Sequence, residues 1–355
     1  MKQITAGMLS VSGGVLTDTE KKILEKSNPL GITLFKRNIV NKEQVKSLIQ
    51  SIKEAIGRED VLIAVDQEGG RVCRFISPEW SSYVSQFSLG SLDDEEAKKM
   101  TRMHGLLIAY DLKELGVNWN YGPVLDVAYP ETTVALASRI FSSDEKKVAV
   151  LGQILIDVYQ ENGICPCIKH LPGHGRAKVD PHLDLPVLSQ SLKELEKDFY
   201  PFIAVGKNAP AGMTAHIVIS AIDNRPVTQS ENAIDEIIRK HIGFNGFLIS
   251  DAIDMKALHG SLSEKTKNCL NAGCDAVCYC FGIEKELQEM VKILPPLTDM
   301  ACERLARIRQ IIQKKCTSFD YQKIYNQYNE LARKVKEKSS DYDSVEILHK
   351  MEKNK

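Results

Sequence analysis

Eight short apolar runs, separated by longer amphipathic stretches, constrain this chain more than any other feature. The runs are residues 4–10, 31–36 (GITLFK), 61–66 (VLIAVD), 117–126 (VNWNYGPVLD), 163–169 (GICPCIK), 211–216 (AGMTAH), 246–251 (GFLISD) and 274–280 (CDAVCYC). Most lack clean alternation of apolar and polar residues, the pattern of parallel strands covered on both faces. Between them, segments such as 41–57 and 190–207 carry apolar residues at helical spacing, as in Val45, Leu48, Ile49, Ile52 and Ile56. This alternation predicts an α/β protein with a single closed (β/α)8 barrel of TIM type rather than an open sheet. The 355 residues suffice, because such a barrel takes about 250 residues and often carries insertions. The barrel domain is assigned to 1–320. The stretch 321–355 is highly charged and is expected to form a helical C-terminal extension, one or two surface helices with a frayed end.

Charge narrows the partners. A net charge of −1 gives neither the basic field that nucleic acid needs nor a polybasic patch for a membrane surface. No nucleic-acid or membrane partner is expected. The first residues, MKQITAGMLSVSGG, lack a long apolar core for secretion, and no later run approaches the roughly 18 apolar residues of a membrane span. A cytoplasmic location is the resulting expectation. The nine cysteines are odd in number and lack C-x2-C zinc spacing. Cys165/Cys167 and Cys278/Cys280 are expected to point to opposite faces or layers of their strands, making poor disulfides. Buried free thiols are the expected state.

Polar residues gather where the apolar runs end. Asp66, Asp126, Lys169-His170, His216 and Asp251 each close a run. A β/α barrel builds its active site at the C-terminal ends of its strands, so five such ends point to one site there. The densest polar segment is 169–186 (KHLPGHGRAKVDPHLDLP), with three histidines, two glycines and three prolines. That content excludes a helix or central strand and predicts an elaborate loop.

Bland readings accompany these residues. Asp251 could cap a helix starting near Ala252. His170, His174, Asp180 and His182 could hold a divalent metal, although H-x-H and H-E-x-x-H spacings are missing. His174, between two glycines, reads as a structural residue bonding loop carbonyls. Glu68 reads as bonding loop amides, and Asp184 as solvent-facing or turn-forming. Gly69-Gly70 is followed by no phosphate-binding pattern.

In these motifs the chain resembles family-three glycoside hydrolases, specifically single-barrel β-N-acetylglucosaminidases of the kind that act in peptidoglycan recycling. KHLPGHG at 169–175 with Asp180-Pro-His182 is similar to the family's K-H-F-P-G-H-G and D-S-H. VDQEGGRVCRF (65–75), NWNYGPVLDV (118–127), ASRIFSSD (137–144) and GFNGFLISDAIDMKAL (243–258) are similar to four further family motifs, in order. The resemblance covers roughly residues 8 to 280. It implies Asp251 as nucleophile, His182 as general acid/base and Asp180 as the partner orienting that imidazole. It further implies that Asp66 and Arg74 hold sugar hydroxyls, that Arg139, Lys169 and His170 line the same sugar subsite with its N-acetyl side, and that His216 and Met255 shape the pocket floor. Three positions depart from the pattern: Leu171 for Phe, Pro181 where Ser is common, and Arg176 after the second glycine.

The implied reaction is retaining exo-hydrolysis of a terminal β-linked N-acetylglucosamine, with no cofactor and no metal. The implied substrate is an amino-sugar glycoside, a muropeptide such as GlcNAc-1,6-anhydro-MurNAc or a chitobiose-like sugar. Imidazole titrates near pH ~6.5 and can therefore give and take a proton near neutrality. Alternative readings are a phosphorylase, in which phosphate resolves the glycosyl-enzyme, and a catalytically silent sugar-binding protein.

Overall fold

Each of the eight apolar runs supplies a strand that buries both of its faces. In the computed structural model, which describes residues 2–181 and 183–336, the strands are β1 (Thr5–Leu9), β2 (Pro29–Leu34), β3 (Leu62–Val65), β4 (Trp119–Asn120), β5 (Cys165–Leu171), β6 (Ala211–Thr214), β7 (Phe247–Ala252) and β8 (Ala276–Cys278). Every neighbouring pair is parallel, and β1 pairs with β8 to close the barrel. Every residue of β2, β3, β5 and β6 is buried.

β4 is shorter than its apolar run. Pro123 has no N–H to give a ladder, so regular strand ends at Asn120, although the Cys167 and Lys169 N–H groups still donate to the Gly122 and Pro123 carbonyls and Val124 bridges Lys169. That bridge still delivers Asp126 to the barrel mouth.

The outer helices begin and end on identifiable signals. In α1 (Asp18–Ser27), Thr17 and Glu20 form a reciprocal capping box. In α2 (Lys42–Ile56), Asn41 caps the start and Gly57, at φ +78°, ends it. Its buried residues are the five apolar positions read from the sequence. α3 (Asp94–Leu115), α4 (Glu145–Glu161) and α5 (Leu192–Val205) follow β3, β4 and β5. A π-type helix (Ala233–His241) precedes β7, and α6 (Leu262–Asn271) and α7 (Glu284–Ile293) flank β8.

α8 (Asp299–Ile312) contributes Leu305 and Ile308 to the same apolar cluster as Met8, Leu30 and Leu62 inside the barrel. The barrel is thus closed at one end, leaving its strand C-termini for the site. α9 (Tyr321–Ala332) packs along α3 and buries Tyr328 and Leu331. Residues 337–355 of the charged extension lie outside the described residues. Among the described residues, no helix is long and apolar enough to cross a membrane.

A short parallel ribbon, Val187–Leu188 against Val218–Ile219, was not legible as strand. It ties the loop after β5 to the loop after β6. All nine cysteines are free thiols, and five are buried. The geometric reason offered against pairing is corrected. Positions two apart share a strand face, and Cys165 and Cys167 both belong to the barrel-interior cluster. Cys278 and Cys280 do not point apart either, because β8 ends at Cys278 and their sulfurs lie 3.4 Å from each other.

Candidate active site

Asp66 is the first residue past β3, where the chain turns through a tight hairpin. Gln67 organises the turn: its Oε1 accepts from the backbone N–H groups of Arg74 and Phe75, and its Nε2 donates to the Phe75 carbonyl. Gly69 sits at φ +109°, where a Cβ would lie 2.1 Å from the Val84 carbonyl oxygen. The hairpin turns Glu68 inward. The expectation that Glu68 bonds loop amides is therefore corrected: Arg139 Nε and Nη2 each donate to its carboxylate at 2.8 Å, and Lys169 Nζ lies 2.6 Å away.

Lys169 and His170 follow one another on β5 and serve different partners. Lys169, 1% exposed, places its ammonium 2.8 Å from Asp66 Oδ1, while Arg74 Nη2 reaches Asp66 Oδ2 at 3.2 Å. Burial alone would raise the two carboxyls, but the surrounding cations win. Lys169 and Arg74 hold Asp66 well below the usual carboxylate range, and Arg139 and Lys169 hold Glu68 at about 2. The same carboxylates keep the Lys169 ammonium charged against its own burial. His170 Nδ1 donates to Asp126 Oδ2 at 2.7 Å, which leaves Nε2 on the side of Arg139, 3.4 Å from its Nη2.

The loop after β5 is pinned at several points. A Cβ at Gly175 would lie 1.8 Å from the Val127 carbonyl, so only glycine fits there. Thr132 Oγ1 donates to the Gly175 carbonyl, and the His174 N–H donates to Asp126 Oδ1 at 2.6 Å. Arg176 pairs with Asp198 at 2.7 Å and stacks over Tyr129. Further on, the Pro181 carbonyl accepts from the Ala257 N–H, joining this loop to the one after β7. Asp180 is buried, and Asp184 is exposed. His182 lies outside the described residues.

His216 and Asp251 come from the next two strand ends. His216 Nε2 donates to the Ala252 carbonyl at 2.9 Å, and Nδ1 lies 2.8 Å from Thr228 Oγ1. Asp251 belongs to β7, and its Oδ1 accepts from the Ala252 N–H. The helix-cap reading of Asp251 fails, since the next helix starts at Leu262 on a Ser261 cap. Met255 is buried in the turn beyond. Arg139, His170, Asp180, His216 and Asp251 line one cavity, joined there by His174. Asp66, Arg74 and Lys169 reach it through the ion-pair network around Glu68.

Donor atoms of Asp126, His170 and His174 lie within 4.8 Å of one another, the closest approach to a metal-ligand set among the described residues. Both Asp126 oxygens already accept hydrogen bonds from the two histidines, which makes the trio a carboxylate–imidazole brace. Sequence reasoning placed His174 among loop carbonyls, and this is corrected: neither of its ring nitrogens has a hydrogen-bond partner.

A closed eight-stranded parallel barrel with acids, cations and imidazoles assembled at its strand C-termini defines an enzyme of the (β/α)8 class. Residues 2–311 match the Glycosyl hydrolase family 3 N terminal domain. A β-hexosaminidase of Bordetella avium is 34% identical over 301 residues, covering 82% of this chain and 85% of the relative. One of Neisseria gonorrhoeae is 35% identical over 281 residues, 77% of each. The crystal structure of NagZ from Neisseria gonorrhoeae in complex with N-trifluoroacetyl-D-glucosamine superposes with a TM-score of 0.83 at 30% identity, over 94% of this chain and 100% of that one. The chain belongs to glycosyl hydrolase family 3 and is a glycoside hydrolase.

Proposed function

We propose that this enzyme is a retaining exo-β-N-acetylglucosaminidase that works through a glycosyl-enzyme on Asp251. The observation that carries the reading is the convergence of Asp251, from β7, with Asp180, from the loop after β5, on one cavity that also holds Arg139, His170 and His216. Its similarity to β-hexosaminidases, and to a NagZ that holds an N-acyl glucosamine, supports the sugar class.

Retention needs a nucleophile and a proton donor flanking the bond to be broken. The Asp251 carboxylate attacks the anomeric carbon while His182 gives its proton to the departing oxygen, so the C–O bond to the aglycone breaks as the Asp251 ester forms. Water then attacks the same carbon, His182 takes a proton back, and the ester carboxylate leaves. Asp180 acts through His182, holding the imidazole in one tautomer. Asp66, Arg74, Lys169 and His170 hold the sugar in register, with Arg139 on its N-acetyl side. His216 braces the strand end that carries Asp251, and Met255 forms the apolar floor. No step calls for a metal or an organic cofactor.

We further infer a cytoplasmic role in cell-wall recycling, with muropeptides such as GlcNAc-1,6-anhydro-MurNAc as substrates. The loops of the 1–320 barrel supply the side chains assigned here to the site, and the first helix of the charged extension, α9, packs behind them through Tyr328. The test is hydrolysis of 4-nitrophenyl β-N-acetylglucosaminide beside the plain β-glucoside, for wild type and Asp251→Asn. Turnover of the N-acetyl substrate by wild type alone is expected. Equal turnover by Asp251→Asn contradicts the nucleophile, and a phosphate-dependent sugar 1-phosphate product contradicts hydrolysis.

A further inference from the structure

His174 is built into the site without a partner for its ring. The residue is 3% exposed, and its backbone is fixed on both sides: its N–H donates to Asp126, and its carbonyl accepts from the Ala177 N–H. Gly175, which follows, packs against Val127 where no side chain fits. This anchoring holds the imidazole in the cavity wall between His170, whose ring centroid is 5.6 Å away, and the Asp180–Pro181 turn, with Asp251 on the same cavity. Buried polar side chains are otherwise nearly always hydrogen-bonded, and an imidazole with both nitrogens unpaired is an expensive arrangement for a purely structural residue.

We propose that His174 is a further substrate-binding residue, whose neutral imidazole hydrogen-bonds a hydroxyl group of the sugar held against Asp251. The proposal rests on the glycosidase reading above and adds a contact to it. Burial pushes the His174 pKa down to about 4, so near neutrality the ring has one N–H donor and one bare nitrogen acceptor. A hydroxyl also donates and accepts, and so matches a neutral imidazole better than a carboxylate or an ammonium would. Its neighbours on this wall each hold a protein partner, His170 Nδ1 on Asp126, His216 Nε2 on Ala252 and Arg139 on Glu68, whereas neither ring nitrogen of His174 does.

The experiment compares wild type, His174→Leu and His174→Gln for thermal midpoint and for kcat/KM on 4-nitrophenyl β-N-acetylglucosaminide, with EDTA present throughout. Leucine fills similar space without hydrogen bonds, whereas glutamine restores a donor and an acceptor. A binding role predicts that His174→Leu keeps or raises Tm, because no bond of the free enzyme is lost, while kcat/KM falls about tenfold or more. His174→Gln then recovers most of that loss. A lower Tm with unchanged kcat/KM identifies a structural residue and overturns the proposal, as does a kcat/KM loss that glutamine leaves unrepaired. Wild type that fails to turn over the substrate overturns the glycosidase reading itself, and this contact with it.

Discussion

Replacing Lys169 by methionine tests the ion-pair network that underlies the sugar site. The side chain keeps its length and apolar stem but loses the ammonium that lies 2.8 Å from Asp66 and 2.6 Å from Glu68. Removing one partner of a buried pair typically costs about 3–5 kcal/mol, because the other charge stays behind in a poorly solvated place. Arg74 still reaches Asp66 and Arg139 still grips Glu68, so the lower end, about 3 kcal/mol, is expected here. At about 2 °C per kcal/mol for a chain of this size, Tm falls by roughly 6 °C near pH 7.

The pH dependence is the sharper part of that prediction. In wild type, Glu68 is held at about 2, below its ordinary value, so its contribution to stability is present above pH ~4.5 and is lost only as pH falls towards 2. Without the ammonium, the native-state carboxyls move upward and take protons at milder acidity, which relieves the unpaired charge. The deficit of Lys169→Met against wild type should therefore shrink between pH 7 and pH 4.5. Calorimetric melts of both proteins at the two pH values measure it. An equal deficit at both, or none at pH 7, refutes the claim that Lys169 is the cation holding these acids ionised.

Two further substitutions probe structure outside the cavity. The Tyr328 hydroxyl accepts from the Val84 N–H and lies 3.0 Å from His104 Nδ1, and His104 Nε2 donates to the Glu68 carbonyl. Tyr328→Phe strands two buried groups and should lower stability by about 1–3 kcal/mol in chemical denaturation; no change would show that α9 does not brace the β3 hairpin. Asp254 Oδ2 accepts from the Cys280 and Phe281 N–H groups while Oδ1 has no partner, and burial raises its pKa to about 7. The folded protein then holds a proton that the unfolded chain releases above pH ~4, so wild type loses stability as pH rises from about 4 to 7. Asp254→Asn should gain on wild type by on the order of 2 kcal/mol between pH 4 and pH 8, half the full shift because the residue is partly exposed. Parallel stability curves across that range would contradict the assignment.

The barrel was legible because its signal is periodic and repeated. Every strand run and both helical segments that the sequence offered are present, displaced by a few residues at their ends except for the run 117–126, of which only Trp119–Asn120 is regular strand. What escaped depends on contacts remote in sequence. Pro123 breaks β4 because a ladder needs an N–H there, yet nothing local said how early pairing would stop. The Val187–Val218 ribbon requires two loops to meet, and the burial of Tyr328 requires α9 to lie on α3. The strand-end acids and histidines were found because barrel topology makes strand ends converge. Glu68 and His174 were misread for a shared reason. Each was assigned neighbours from its own loop, whereas Glu68 meets cations from the loop after β4 and from β5, and His174 lies in a wall that also draws on β5 and β7. The cis peptide between Lys169 and His170 was equally unreadable from composition.

The proposed mechanism requires that Asp251 become covalently glycosylated. The most direct measurement is peptide mapping by mass spectrometry after acid quench of the enzyme during turnover of an activated aryl β-N-acetylglucosaminide, with Asp251→Asn as control. One N-acetylglucosaminyl adduct is expected, on the peptide containing Asp251 and absent from the variant. An adduct on any other residue, or full turnover by Asp251→Asn, would contradict it.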